Sequence, residues 1–155
     1  LSGFDGEPIS IYPANRNMGH EGAYIVKFEG KYIFFGTAWS RDTLRKGTYN
    51  LYYSIADKLE GPYDDRKFVG RFLGHGTPFK DKEGGWWCTA FYNANHPTLT
   101  RNEVYAKDVS QSAYTLNKQG LTLVPLDIKM VGGKVIIQTL DPDYARPGPE
   151  EMQKF

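Results

Sequence analysis

Apolar and aromatic positions along this chain come in short alternating or continuous runs separated by glycine-bearing turns, with no sustained 3.6-residue spacing. Three stretches share that layout: EGAYIVKFEGKYIFFGTAW from Glu21, HGTPFKDKEGGWWCTAFYN from His75, and VPLDIKMVGGKVIIQ from Val124. Each predicts a strand, a tight turn at FEGK, KEGG or VGGK, and a second strand rich in aromatic or β-branched residues. Each is therefore a β-hairpin. A further strand is expected at Tyr49 to Asp57, closed by a turn at Gly61-Pro62, and another at Glu103 to Ser110. The only helical expectation is the end, PGPEEMQKF, where Pro149 opens a short terminal helix.

The first two stretches echo one another at an offset of 54 residues, setting Gly22 on Gly76, Ile25 on Phe79, Glu29 on Glu83, Gly30 on Gly84 and Tyr32 on Trp86. The third matches less closely, at a spacing of 49, with Ile128 on Phe79 and Gly133 on Gly84. A hairpin plus outer strands repeating at about 50 residues is near the period of propeller blades, roughly 40 to 50 residues. The expected fold is all-β: one partial β-propeller domain over residues 1–155, about three blades starting near 21, 75 and 124, with residues 141–155 as a C-terminal tail. Closed rings take roughly four to eight blades, so an incomplete ring is expected. Its open edges and faces would be covered by further sequence or by a second copy of the chain, a homo-oligomer.

Composition sharpens this picture. The 155 residues include 11 Tyr, 9 Phe, 3 Trp, 17 Gly and 9 Pro, a mixture that favours strands and turns. Lys plus Arg at 19 against Asp plus Glu at 18 leaves a net charge of +1, no footprint for a nucleic-acid backbone. No apolar run approaches the roughly 18 residues of a spanning helix, so neither nucleic acid nor membrane is an expected partner. A single cysteine, Cys88, excludes an internal disulfide and a cysteine-built zinc site, and inside WWCTAF it reads as a small buried hydrophobe. The opening LSGFDGEPIS has no basic or apolar leader region and no initial Met, which points to a processed or excised segment and gives no compartment.

Residues opening the innermost strand of successive blades converge on one axial pocket. The 54-residue register puts Glu21 and His75 there, each followed by Gly, whereas the third unit offers only Val124-Pro125. With these residues in view, HEGAYIVKFEGKYIFF, YNLYYSIADKLEGPY and GHGTPFKDKEGGWW resemble the later blades of glycoside hydrolase family 43 and related five-bladed propeller glycosidases. The likeness runs over most of Gly19 to Trp87 and fades after Asn95. It implies that Glu21 is the general acid and that His75 lies by the axis, near substrate, a metal ion or a bridging water. It also implies a carbohydrate substrate of arabinose or xylose type and, from that substrate class alone, a secreted or periplasmic protein. The family's base Asp and the Asp that tunes the acid open earlier blades, before Leu1. No cofactor is required; an axial calcium ion is admitted, held through water since calcium prefers oxygen ligands.

Each candidate has a plainer competitor. A lone Glu before a strand is ordinarily solvated, and the plain reading of His75 is a hydrogen-bonded structural histidine. His20 points the opposite way from Glu21 in an extended strand and is expected to pack. Trp39, after the second strand, would stack on a sugar if its indole is exposed. Arg16 and Asn17 precede the Glu21 strand, and Asn93, Asn95 and His96 follow the corresponding strand of the next unit; all suit hydroxyl recognition or simple turn chemistry. Asp5, Glu7, Asp42 and Asp127 are the remaining carboxylates of interest. Trp86 and Trp87 point to opposite faces and pack between blades. The alternatives to a glycosidase are a non-catalytic carbohydrate-binding propeller and a structural module that dimerises through its open faces.

Overall fold

A computed structural model describes residues 3, 6–14, 20–41, 46–90 and 122–145. Among these described residues, eight strands and one short helix follow in chain order: β1 (Glu21–Phe28), β2 (Lys31–Arg41), β3 (Lys46–Ala56), β4 (Lys67–Gly70), β5 (Pro78–Lys80), β6 (Trp86–Ala90), β7 (Thr122–Val131), β8 (Lys134–Thr139) and α1 (Pro142–Ala145). They form two four-stranded sheets, β1-β2-β3-β4 and β5-β6-β7-β8, every neighbouring pair antiparallel. Two such meanders packed face to face are adjacent propeller blades, with β1 and β5 innermost.

The three expected hairpins all form, for local reasons. Glu29 and Gly30 have φ of 46° and 83°, as do Gly132 and Gly133 at 56° and 76°, so both turns carry the two positive φ angles of a type I′ connection. The β5–β6 turn is longer, and Asp81 closes it by accepting from the Gly85 amide at 2.7 Å and the Trp87 indole at 2.6 Å. The hairpin at Val124 does not open a third blade. β7 pairs with β6 along Trp86↔Leu126 to Ala90↔Thr122, so β7 and β8 are the outer strands of the second blade. Any hairpin has the strand–Gly turn–strand pattern, inner or outer, which is why Ile128 and Phe79 could be mistaken for equivalents. The strand expected at Glu103 to Ser110 and the terminal helix at Pro149 lie outside the described residues; the described helix, α1, is earlier.

Alternation decides the core. Ile33, Phe35, Leu51 and Tyr53 of the first sheet face Cys88, Val124, Leu126, Ile128, Val135 and Ile137 of the second, all buried. Each large side chain removed from water this way contributes roughly 1.5–3 kcal/mol. Arg71 ties the blades at their outer side, its amide donating to Tyr144 O at 3.0 Å and its Nε to Asp143 O at 2.8 Å. The opposite face of the first sheet packs Phe34 and Ala56 with Tyr63, Ile11 and Ile25. The outward face of the second sheet leaves Leu123, Val131 and Ile136 exposed. Trp86 packs on the interblade core and Trp87 points the other way, in line with their adjacent positions.

Candidate functional site

Glu21 is the first residue of β1 and pairs with Thr37, but the next pair is Tyr24↔Phe35. Two residues, Gly22 and Ala23, thus oppose Gly36 alone, which is a β-bulge. Gly22 takes the left-handed backbone this requires, φ +59°. The bulge re-aims Glu21 relative to the regular alternation of the strand below it, a device common beside functional sites.

His75 arrives from the turn that joins the blades, three residues ahead of β5. Its φ of 54° is left-handed, uncommon for a residue with a side chain and characteristic of functional positions. The flanking glycines hold it there by close packing. A Cβ on Gly74 would lie 2.0 Å from Tyr49 Cδ1, and one on Gly76 would lie 2.4 Å from Thr89 O. The Gly74 amide also donates to Tyr49 O at 2.9 Å.

The two side chains meet: His75 Nε2 stands 3.7 Å from Glu21 Oε2, with the side chains 58% and 62% exposed. Tyr49, on β3, donates its phenolic O–H to the same Oε2. Thr37 Oγ1 lies 3.0 Å from Glu21 O and 3.1 Å from Tyr49 Oη, and the Tyr49 ring sits 5.4 Å from the His75 ring. Tyr49 and Thr37 are neighbours of this candidate pair that the sequence alone does not single out. Their signal was present in the register, since the alternation that buries Leu51 and Tyr53 also brings Tyr49 to this face.

Trp39 is only 9% exposed and stacks on Tyr49, ring centroids 5.0 Å apart at 27°. Its indole supports Tyr49 from within and does not form the exposed sugar platform expected of it, because the β2–β3 pair Trp39↔Tyr49 turns both rings inward. His20 packs as expected. It lies over Gly36, where a Cβ would meet its ring at 2.1 Å, and 4.4 Å from the Phe34 ring. Neither ring nitrogen makes a hydrogen bond of normal geometry among the described residues. Burial, then the charge of Arg66, lowers its pKa to about 4 against a smaller opposing contribution from the Phe35 backbone. Burial pushes the Cys88 thiol up to about 12, so it is an inert apolar group. Arg16, Asn17, Asn93, Asn95, His96, Asp5 and Asp42 lie outside the described residues. Glu7 is exposed, and Asp127 pairs with Lys129.

An open cleft of about 650 Å³ runs along the innermost strands from Tyr24 to Glu29, walled by Phe79, Lys80 and Trp86. A crevice of about 660 Å³ opens at the strand ends remote from Glu21, beside the Lys31–Asp57 and Lys67–Asp64 ion pairs. Calcium takes roughly six to eight oxygen ligands. Among the described residues no group of three or more His, Cys, Asp or Glu is arranged to hold a metal ion, so these residues do not by themselves fit the axial calcium. What the hollow offers is one carboxyl group with one oxygen anchored, beside an imidazole.

No protein-family model and no curated protein matches the sequence. Solved structures do. The GH43 BlXynB protein from Bacillus licheniformis superposes with a TM-score of 0.51 at 16% identity, over 86% of this chain and 24% of that one. An endo-1,4-beta-xylanase from Bacteroides thetaiotaomicron gives 0.46 at 18% identity, over 83% of this chain and 40% of that one. A bifunctional GH43-CE protein from Bacteroides eggerthii gives 0.46 at 22% identity, over 77% and 12%. The chain thus spans less than half the length of these structures. The BlXynB superposition establishes the fold: two β-propeller blades arranged as in that GH43 protein.

Proposed function

We propose that the two blades carry the proton-donor side of a glycoside hydrolase active site, with Glu21 as general acid. The observation that carries this reading is the convergence of Glu21 and His75, one placed by a bulge and the other by a left-handed backbone, at the inner edge of adjacent blades. In an inverting reaction Glu21 protonates the leaving glycosidic oxygen while a second carboxylate, roughly 6.5–9.5 Å away across the sugar, activates the attacking water. In this reading, as the family resemblance implies, that base is an Asp opening another blade. Shielding of Glu21, 62% exposed here, is likewise left to neighbouring blades and bound substrate. His75 contacts the sugar near the axis, and Arg16 and Asn93 serve hydroxyl recognition. Arabinose- or xylose-type glycosides are the proposed substrates, from the family resemblance.

The exposure of Glu21 also supports a second reading, a carbohydrate-binding propeller without hydrolysis. The experiment that separates the two is incubation of the complete protein with aryl arabinofuranosides and xylosides, reading aryl release together with sugar binding by calorimetry. The hydrolase reading expects release; binding without any release selects the second reading.

A further inference from the structure

We infer that Tyr49 positions the proton donor, anchoring Glu21 Oε2 so that Oε1 is the oxygen that hands over the proton. The inference rests on the hydrolase reading above. Among the described residues, the Tyr49 phenol and His75 Nε2 both engage Oε2 of the carboxyl group. A carboxyl on a three-torsion side chain turns freely unless one oxygen is held, and proton transfer needs the donor oxygen aligned on its acceptor.

Tyr49 is itself fixed on every side. It is buried, stacked on Trp39, packed against Gly74 and in hydrogen-bond reach of Thr37 Oγ1 at 3.1 Å. A phenol held this rigidly makes its hydrogen bond without further ordering. The timing also favours it. As the bond from the anomeric carbon to the glycosidic oxygen breaks, its electron pair stays on that oxygen, which takes the proton from Oε1; water supplies the new bond to carbon and gives its own proton to the base. Glu21 ends ionised, and a phenol donates more strongly to a carboxylate than to a neutral acid. Tyr49 therefore contributes most as the transition state is reached.

The test uses Tyr49→Phe and Glu21→Gln in the complete protein, with a phenyl glycoside and the matching dinitrophenyl glycoside. Only the poor phenolic leaving group needs a proton. Tyr49→Phe is expected to lower kcat, and kcat/KM with it, roughly 10- to 100-fold on the phenyl substrate and less than about threefold on the activated one. Thr37→Val, which removes a hydroxyl within reach of the phenol, should show the same selectivity with a smaller loss. Equal losses on both substrates, or none on either, overturn the inference while leaving the hydrolase reading in place if Glu21→Gln shows the selectivity. A Glu21→Gln variant that keeps both rates overturns the proton donor and this inference together.

Discussion

His75 reaches within 3.7 Å of Glu21 although the two are 54 residues apart and in different blades, and it does so from a backbone conformation that glycine would adopt more cheaply. A side chain in the left-handed region costs roughly 1–2 kcal/mol, offset in part by the unfolded-state entropy that glycine would lose. His75→Gly is therefore expected to leave stability unchanged or raise it by up to ~1 kcal/mol while weakening sugar binding and turnover. Thermal melts beside calorimetric titration check this. A variant that melts well below the parent would make His75 a structural residue.

Gly22 is the hinge of the bulge that aims Glu21. There is room for a side chain, the nearest atom to a Cβ being Thr37 Oγ1 at 3.6 Å, so the constraint is φ rather than space. Gly22→Val places a β-branched residue at φ +59° and should cost about 1–2 kcal/mol of stability or flatten the bulge. Either route moves Glu21, and turnover should fall by at least about tenfold. Full activity in this variant would show that the bulge does not aim the carboxylate.

His20 makes the fold sensitive to acid. Its pKa is about 4 in the folded chain against an ordinary 6.5, so the unfolded chain binds more protons between those values. The stability it contributes is complete above pH 6.5 and is lost as pH falls toward 4, on the order of 3 kcal/mol in all. Denaturant midpoints should drop across that window in the parent and flatten in His20→Gln. An equal drop in the variant would assign the acid response elsewhere.

Cys88 should resist thiol reagents in the native state. It is fully buried with a thiol held near 12, so labelling by a disulfide reagent at neutral pH should require unfolding. Rapid stoichiometric labelling of folded protein would contradict its place in the interblade core.

Much of this architecture is legible in the sequence because turns and alternation are local. The Glu29-Gly30 and Gly132-Gly133 pairs announce their hairpins, and the echo between Glu21 and His75 correctly brings those two residues together. Blade membership is not local. Nothing within VPLDIKMVGGKVIIQ says that its first strand pairs with Trp86–Ala90, so from sequence an outer hairpin reads as the start of a new unit. The same limit hid the site's supports. Trp39 stands just before the polar run Ser40-Arg41-Asp42, which reads as the start of an exposed loop; it lies inside β2, and its pairing with Tyr49 buries it. Tyr49 was one aromatic among many until β1, β2 and β3 were in register around Glu21.

Glu21 at the blades' inner edge is the proposed proton donor on which every other role at this site depends. The most direct measurement is the hydrolysis rate of a phenyl glycoside by the complete protein carrying Glu21→Gln, with its melting temperature recorded beside it. A loss of roughly 100-fold or more with the melt unchanged is expected, since an amide cannot supply the proton. Turnover equal to the parent's would contradict it.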